Sequence, residues 1–302
     1  MITIAEAIAR LSRALGGSAG ADLAAAALVE ADALGLPRFG IAMLDEWAGR
    51  AQEVEACADQ GPLRWRDCSA SFAPLAVAHA TLDIELAARQ YGVAAFFLRG
   101  VKGFGRLAPF VRRLADAGLV GIAGAEGPPF VAPYDGRSAV IGTNPFAFAI
   151  GQGEDRIVVD LATASLTMAD VRDARATGRK LPAGKALDHL GRPTSIAADV
   201  AALLPRDGRA GSLLGLVVEL LAGIAGQGRG DSRGRGVFLM AIDPEAGGDT
   251  GHWRELLASL KTEWMDAGGH WPRGGGLAGA GELDDAFAQR LGEHLARITG
   301  KA

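Results

Sequence analysis

The chain has little of what marks disulfide-stabilised, membrane-spanning or metal-binding proteins. Its 302 residues include only two cysteines, Cys57 and Cys68. No second Cys or His pair stands near them at zinc-ligand spacing, so free structural thiols and no metal site are predicted. The chain opens without the cationic and apolar segment of a secretion signal, so we expect a cytoplasmic protein. The longest apolar stretch, 212–225, contains Glu219 and is shorter than the ~20 residues of a membrane span, so a buried helix is predicted there.

A strong charge of one sign is also missing. Lys and Arg total 31 against 35 Asp and Glu, which gives a net charge of −4 without a long run of either sign. Neither nucleic acid nor a membrane is therefore expected as a partner. With 49% hydrophobic residues, the chain is long enough to bury one large core or two smaller ones. Glycine is abundant, at 43 residues, and follows no repeat period, which predicts many tight turns.

The spacing of apolar residues predicts an α/β protein whose two ends are helical. In the middle of the chain, apolar runs at 93–98 and 119–123 flank a glycine turn and an amphipathic helix, which is typical of a strand–turn–helix–strand unit. The predicted parts are helical at 1–60, α/β at 61–199, and helical with one strand at 200–302, packed on 1–60. Further predictions are helices at 23–34, 41–56, 73–90, 107–117, 164–177, 252–267 and 283–298, strands at 146–150, 157–161 and 237–242, and a linker at 59–65.

The turn 100–105, of sequence GVKGFG, is the first candidate for chemistry. A glycine turn that leaves a strand and opens a helix directs backbone N–H groups and the positive helix end towards one point, where phosphate binds readily. Lys102 and Arg106 add charge there, and Glu126 follows the next strand, where dinucleotide folds place a ribose-binding acid. The spacing is G-x-x-G-x-G, however, which departs from the dinucleotide fingerprint. Phosphate binding and an ordinary turn both remain open.

Three polar segments elsewhere are weaker candidates. Thr143, Asn144 and Pro145 present donors and acceptors on a rigid turn before a strand, and Asp160 and Thr163 stand at a strand end. Local hydrogen bonds within a turn are the alternative interpretation. In the loop 181–194, Asp188 and His189 are neighbours that can act as acid or base, although successive loop side chains often diverge. The sequence contains neither an H-E-x-x-H metal motif nor a G-x-S-x-G nucleophile turn.

Taken in order, these segments resemble the type-2 malate/L-lactate dehydrogenase family, over roughly residues 25 to 265. That family includes the Δ1-piperideine-2-carboxylate reductases, ureidoglycolate dehydrogenase and diketogulonate reductase. The most specific matches are GTNP and the D-x-A-T pattern. The collinear segments are ADALG at 31–35, YGV at 91–93, GLVGI at 118–122, VAP at 131–133, GTNP at 142–145, VDLAT at 159–163, LD at 187–188, GRPT at 191–194, GLVVELLAG at 215–223 and AIDP at 241–244.

The resemblance implies a non-Rossmann, L-sulfolactate-dehydrogenase-like α/β fold and a homodimer. It implies that NADPH or NADH binds to the domain at 61–199 and that hydride passes to a small 2-oxo acid or cyclic imine at a site between domains. By position, Thr143, Asn144 and Pro145 would lie near the nicotinamide, Asp160 and Thr163 near the cofactor, and Asp188 near the reacting centre. Lys102, Gly103 and Gly105 are the remaining cofactor candidates, and Arg38 joins Asp188 as a catalytic candidate.

Several positions depart from the family pattern. Phe39 stands where the usual catalytic His is expected, Gly103 replaces a second His, and Met43 replaces an Arg. Ala210 and Ala164 stand in place of a Lys and a Ser. Loss of the His removes the acid that protonates an alkoxide during ketone reduction, which contributes roughly 10²–10⁴ in rate.

A protonated imine already carries its proton, so a cyclic imine or iminium substrate is favoured over a 2-oxo acid. Arg38, Lys102 and Arg209 are candidates for substitute charge. The alternative is a family member that has lost hydride chemistry and serves as a ligand-binding or scaffolding dimer, or catalyses another reaction in the inherited pocket.

Overall fold

A six-stranded mixed sheet lies at the centre of the computed structural model, which describes residues 1–46, 61–230, 235–248, 251–273 and 281–300. The strands of the sheet follow the order β2-β3-β9-β4-β5-β6. β2 runs parallel to β3, and the other neighbouring pairs are antiparallel. The described strands are β1 (Ile2–Thr3), β2 (Leu63–Asp67), β3 (Val93–Val101), β4 (Val120–Ala125), β5 (Pro145–Ile150), β6 (Ile157–Ala162), β7 (Ala186–Leu187), β8 (Ala202–Leu203), β9 (Arg235–Ile242) and β10 (Glu282–Leu283).

The helices begin and end at residues that suit helix termini. Thr3 and Ser18 accept N-terminal backbone N–H bonds at the starts of the first two helices, and Gly92 ends the third in the left-handed conformation. The helices are α1 (Ile4–Ala14), α2 (Ala19–Ala33), α3 (Ala73–Tyr91), α4 (Ala108–Asp116), α5 (Met168–Thr177), α6 (Arg209–Val218), α7 (His252–Asp266) and α8 (Asp285–Ile298). A π-helical turn, Glu219–Ala225, continues α6, and short 3₁₀ turns include Pro37–Phe39 and Ile41–Glu46.

Alternating side chains of the sheet enter two different cores. Phe96 of β3 is fully buried in the larger core, which also takes apolar side chains from α1 to α4 and from α8. Its neighbour Phe97 points to the opposite face, where it packs with Val218, Ala222 and Phe238 under α6 and its π-helical continuation. The sheet is therefore a central layer between helices, and two smaller apolar clusters lie under the loops at 130–205.

The predicted strand–turn–helix–strand unit is confirmed in its elements and corrected in its pairing. β3, α4 and β4 follow one another as expected, but β9 lies between β3 and β4 and is antiparallel to both. The interpretation of 59–65 as a linker is wrong for its last residues, because Leu63–Asp67 forms the edge strand β2. Of the predicted helix 41–56, the structure shows a 3₁₀ turn at Ile41–Glu46, and residues 47–60 lie outside the described part.

The two ends of the chain meet. Ile2 of β1 pairs with Leu283 of β10, and Leu291 of α8 is fully buried in the core that contains α1. The predicted division of the chain at 60 and 199 stays a prediction. None of the described helices combines the length and apolar character that a bilayer crossing demands.

Candidate functional site

One edge of the sheet collects most of the predicted site residues. There β2, β3, β4 and β6 end, while β5 and β9 begin, as the pairs Asp67 with Arg99 and Pro145 with Ala162 show. We call this edge, with the loops that leave it, the site edge. Glu126 follows β4, Asn144 precedes β5 and Thr163 follows β6, so three segments far apart in sequence become neighbours.

Asn144 and Thr163 form a buried hydrogen-bonded group. Thr163 is 2% exposed, and its hydroxyl lies 3.1 Å from the carbonyl oxygens of both Thr143 and Asn144. The Asn144 side chain is fully buried, and its Nδ2 donates to Gly215 O and to Glu219 Oε2, each at 2.9 Å. Its Oδ1 is buried without a hydrogen-bond partner among the described residues. These side chains point inward, whereas Thr143 and Pro145 beside them are half-buried.

Two buried carboxylates, Glu126 and Glu219, flank this group. Glu219, 3% exposed, accepts from Asn144 and is paired with Arg229. Glu126 Oε1 accepts from the Gly236 backbone N–H at 2.7 Å. Burial raises the pKa of Glu126, and the Gly236 hydrogen bond opposes that rise. Glu126, which follows the strand as the sequence indicated, is thus a buried part of the framework joining β4 to β9.

Asp160 belongs to a second charged group on the other side of β6. Its carboxylate accepts from the Ala108 N–H at 3.1 Å, at the start of α4, and Arg106 Nε lies 3.8 Å away. Arg106 also donates to buried Glu30 at 2.9 Å, and Arg112 binds the same carboxylate. Burial raises the pKa of Asp160, and the Ala108 N–H and Arg106 oppose the rise. Asp160 therefore caps α4, as an acidic group at a helix N-terminus does.

The glycine turn meets the segment that carries Phe39. Gly100, Gly103 and Gly105 all have positive φ, which a glycine adopts without strain. A Cβ at Gly105 would lie 3.2 Å from the carbonyl oxygen of Phe39, so the two loops are in close contact. Arg38 and Lys102, on these loops, are exposed and form no ion pair with any described residue. The structure thus brings two of the predicted cations to adjacent loops.

Asp188 organises its own turn. Its Oδ1 accepts from the N–H groups of Leu190 at 2.8 Å and Arg192 at 2.9 Å, and its Oδ2 accepts from Arg192 Nε at 3.0 Å. The backbone hydrogen bond from Arg192 is the main cause that lowers the pKa of Asp188. No hydrogen bond or ion pair in the described chain joins Asp188 to Arg38 or Lys102. Its predicted catalytic role stays a prediction, and the carboxylate is ionised at neutral pH.

A cleft of about 470 Å³ lies next to this turn, between the loops at 134–137, 184–193 and 204–208. Tyr134, Arg137 and Lys185 are among its lining residues. Ser165 also lines it, two residues beyond Thr163, so the cleft continues the site edge. Sequence reasoning missed these residues, because only the glycine and proline content of the three loops marked them, and that content does not show that the loops converge.

Metal binding finds no support in the side chains that are described. Within the described ranges, no three His, Cys, Asp or Glu side chains are grouped as metal ligands. Cys68 is buried and free, and burial raises the pKa of its thiol to about 12, so the thiol is protonated and inert at neutral pH. Cys57 lies outside the described residues.

The fold and the site edge define a class of α/β proteins with a mixed sheet, in which a glycine turn, a buried polar framework and a loop-lined cleft share one edge. The family model described as malate/L-lactate dehydrogenase matches residues 4–271. The chain belongs to this family, which confirms the resemblance stated from the sequence.

Curated relatives share about a third of their aligned residues with the chain. A (2R)-3-sulfolactate dehydrogenase (NADP(+)) of Chromohalobacter salexigens is 32% identical over 246 residues, covering 74% of each chain. A Δ1-pyrroline-2-carboxylate/Δ1-piperideine-2-carboxylate reductase of Pseudomonas syringae pv. tomato is 34% identical over 70% of this chain and 66% of its own. A ureidoglycolate dehydrogenase (NAD(+)) of Escherichia coli O157:H7 is 34% identical over 56% of this chain and 48% of its own.

Solved structures confirm the fold. The crystal structure of Δ1-piperideine-2-carboxylate reductase from Pseudomonas syringae pv. tomato has a TM-score of 0.80 at 29% identity, covering 97% of this chain and 99% of that one. Sulfolactate dehydrogenase from Methanocaldococcus jannaschii has a TM-score of 0.79 at 21% identity, covering 99% and 97% of the two chains. The predicted sulfolactate-dehydrogenase-like fold is therefore confirmed.

Proposed function

We propose that the protein is an NAD(P)H-dependent oxidoreductase that transfers hydride to a cyclic imine or iminium in preference to a 2-oxo acid. The observation that carries this preference is Phe39, which stands where the family pattern has a His and whose backbone carbonyl lies against the glycine turn at Gly105. None of the chain's five histidines lies in the loops at 36–43 or 100–106. The two contacting loops offer the cations Arg38 and Lys102 but no imidazole.

The residues present fit a nicotinamide dinucleotide. Its phosphates are anionic, and the site edge and its cleft contain cations without ion-pair partners in the described chain, namely Lys102, Arg137 and Lys185. Left-handed glycines at 103 and 105 keep the turn free of side chains, as close backbone approach to phosphate requires. When bound, the nicotinamide would supply the hydride. Relatives named with NADP(+) and with NAD(+) both support a nicotinamide cofactor without selecting one.

We assign two different roles to the predicted cofactor residues, contact with the ligand and positioning of the loop. Thr143 and Pro145 are accessible at the site edge, so they contact the ligand directly. Asn144 and Thr163 are buried, and they act as positioning residues by fixing the backbone of that loop. Asp160 holds the start of α4 and Arg106 in place behind the glycine turn.

The charge pattern suits an iminium carboxylate. Hydride addition to the carbon of a protonated C=N bond forms the C–H bond and leaves the electron pair on nitrogen, so an amine results without a further proton donor. A ketone, in contrast, needs an acid to protonate the alkoxide. Arg38 would bind the substrate carboxylate. A reductase of pyrroline- and piperideine-2-carboxylates among the relatives supports this substrate class.

We further propose that the protein is a homodimer. Five apolar side chains repeat at helical spacing on the outer face of α6 and its π-helical continuation. Each is about half exposed: Leu213 53%, Leu216 45%, Val217 47%, Leu220 49% and Ile224 55%. A contiguous apolar stripe of this kind marks an interaction surface.

We also propose that the protein is cytoplasmic, because its cysteine content is low.

The alternative is a member that has lost hydride chemistry and retains the fold as a ligand-binding or scaffolding dimer. It is favoured by the replacements Phe39, Met43, Gly103 and Ala210. Turnover separates the two hypotheses, because a ligand-binding member that has lost hydride chemistry can still bind a reduced nicotinamide but does not reduce an imine with it.

The test is a titration of the purified protein with NADPH and NADH, followed by nicotinamide fluorescence, and then rates with Δ1-piperideine-2-carboxylate and with pyruvate. We expect saturable binding and faster reduction of the imine. Phe39→His should raise the pyruvate rate by at least about tenfold and leave the imine rate nearly unchanged. Phe39→Leu, which changes shape but adds no acid, is the matched control. Absence of binding to both cofactors contradicts the function, and fast pyruvate reduction by the unaltered protein contradicts the substrate preference.

A further inference from the structure

Asp32 is a buried carboxylate next to the segment that carries Arg38 and Phe39. It stands in the last turn of α2, and its side chain is only 3% exposed. Its Oδ2 accepts from the Ile41 backbone N–H at 2.7 Å, and Arg290 Nη2 lies 3.8 Å from its Oδ1. Burying a carboxylate is unfavourable unless strong partners compensate, and these partners are few. Its retention here indicates a specific role for the contact with Ile41.

This contact determines where a turn of the chain begins. Ile41 opens the 3₁₀ turn Ile41–Glu46, which follows the 3₁₀ turn Pro37–Phe39. The first N–H groups of a helical turn have no acceptor within the turn. The Asp32 carboxylate provides one from a different helix, and the Ile41 side chain beside it is fully buried. The hydrogen bond therefore ties the start of this turn to the end of α2.

Gly40, between the two turns, lets the segment approach α2 this closely. A Cβ at Gly40 would overlap the Asp32 carboxylate and would lie 3.0 Å from the Leu28 carbonyl oxygen. A residue without a side chain is therefore required at this position. The carbonyl of the preceding residue, Phe39, lies against the glycine turn at Gly105. The segment is thus held between α2 and the site edge.

We propose that Asp32 is a positioning residue for recognition of the substrate carboxylate. Arg38 is exposed on the 3₁₀ turn that ends one residue before Gly40, so the bond from Ile41 to Asp32 fixes the backbone that directs it. A guanidinium binds a carboxylate well only in a defined geometry. This inference rests on the proposed function, in which Arg38 binds the carboxylate, and adds the residue that holds Arg38 in place.

The test is steady-state kinetics of the full chain at a saturating concentration of the reduced nicotinamide that binds. The two substrates are Δ1-piperideine-2-carboxylate and Δ1-piperideine, the same ring without the carboxylate. Asp32→Ala should raise the KM of the carboxylate substrate by at least about tenfold, because one charge-assisted hydrogen bond is misplaced. Its kcat, and the kinetics with Δ1-piperideine, should stay within about twofold. Arg38→Gln should raise the same KM, and the double variant should be no worse than Arg38→Gln alone.

Two further variants act on the same hydrogen bond. Asp32→Asn keeps an oxygen acceptor for the Ile41 N–H, so its KM should stay within about threefold of that of the unaltered chain. Gly40→Ala keeps Asp32 but displaces its carboxylate from that N–H, so the raised KM should reappear. Asp284→Ala is the matched control, since Asp284 also accepts a backbone N–H at 2.7 Å, from Phe287 at the start of α8. Its KM should be unchanged.

The outcomes separate this inference from the proposed function. If the unaltered chain reduces the imine and Asp32→Ala slows both substrates equally, Asp32 is a structural residue and the positioning role is wrong, while the proposed function stands. An unchanged KM in Asp32→Ala, or a KM raised equally in Asp32→Asn, also overturns the role. If Asp32→Ala does not fold, the KM of Gly40→Ala decides in the same way. If the unaltered chain reduces neither substrate, the proposed function fails and the inference fails with it.

Discussion

Asn144 is the only asparagine in the chain. Its backbone conformation and the hydrogen bonds of its side chain both depend on the residue being asparagine. Its φ of +36° lies in the left-handed region, which Asn and Asp adopt more readily than other non-glycine residues. Its amide joins the start of β5 to Gly215 and Glu219 on α6 and the π-helical turn. One side chain therefore fixes the loop that holds Thr143 and Pro145 and also anchors the helix above it.

Asn144→Asp tests this anchoring while keeping the size and the backbone preference of the residue. The change replaces a donor to Glu219 by a second buried carboxylate, so we expect a loss of about 2–4 kcal/mol in the free energy of unfolding. A carboxyl beside another buried carboxylate keeps its proton to higher pH, so stability should be partly regained on acidification from pH 7 to 5. Urea unfolding at the two pH values measures both effects.

Gln289→Glu is the matched control, because Gln289 also donates an amide N–H to a glutamate, Glu293, at 2.9 Å, but on the exposed face of α8. A like-charge pair at this spacing costs only about 0.2–0.5 kcal/mol in an exposed helix. Equal losses in the two variants would show that Asn144 is not a buried anchor.

The sequence predicted the position of this loop but not the direction of its side chains. The GTNP segment correctly indicated a turn before a strand at the edge shared with Asp160 and Thr163. The partners of Asn144 lie 71 and 75 residues away, and no local pattern shows that α6 folds over β5 to meet it. Asp160 was likewise placed at the correct strand end, while its bond to the Ala108 N–H depends on where α4 packs.

At the scale of elements, the helix predicted at 212–225 is the most informative correction. Its length and position were predicted well, but its complete burial was wrong. Val218 and Ala222 are fully buried against Phe97 and Phe238, while the opposite face is open. An almost uncharged helix is typical of a protein core. The same sequence pattern is expected for a helix buried within its own chain and for a helix buried against a second copy, so the sequence does not distinguish the two.

Leu220→Glu tests whether a second copy covers this face. Leu220 is 49% exposed in the single chain, so the charged side chain fits the isolated fold, but it would be buried unpaired in a dimer interface. We expect sedimentation equilibrium to show a dimer for the unaltered protein and a monomer, or a dimer weakened by at least about tenfold, for the variant. Circular dichroism should be unchanged.

Leu86→Glu on α3 is the control, since Leu86 is 72% exposed and lies away from the stripe on α6. A monomeric unaltered protein contradicts the dimer proposal outright. A dimer that survives Leu220→Glu shows instead that the two copies meet elsewhere, for which the exposed apolar side chains of α7, Leu256, Leu260 and Trp264, are the next surface to test.

The pairing of the strands is the part of the fold that the sequence did not predict. The apolar run that becomes β9 was identified as a strand, but its place between β3 and β4 joins residues more than 110 positions apart. β2 was missed because Leu63–Asp67 is short and follows Gly61 and Pro62, and its apolar side chains, Leu63 and Trp65, lie on the exposed face of an edge strand while Arg64 and Arg66 are half-buried. Trp65 stacks on Phe97, a contact that exists only once β2 and β3 pair.

At the scale of the whole molecule, the first and last helices share one core with the sheet. Leu11 of α1, Phe96 of β3 and Leu291 of α8 belong to the same contiguous cluster of buried side chains. Arg290 lies 3.8 Å from Asp32, whose carboxylate accepts from the Ile41 N–H at 2.7 Å, so α8 also supports the segment that carries Arg38 and Phe39. The parts predicted at 1–60, 61–199 and 200–302 are thus expected to unfold together, although their boundaries follow composition changes in the sequence.

Leu291→Ala tests this cooperativity from the end of the chain. Leu291 is fully buried, so the cavity should cost about 2–5 kcal/mol and lower the stability of the sheet as much as that of the helices. Tryptophan fluorescence and far-ultraviolet circular dichroism should then report one coincident transition, shifted equally by the substitution. Leu203→Ala makes a comparable cavity in the separate cluster under the loops at 130–205. If Leu291→Ala shifts only part of the signal and leaves a second transition at its original midpoint, the terminal helices unfold as an independent unit. The prediction of one cooperative core would then be wrong.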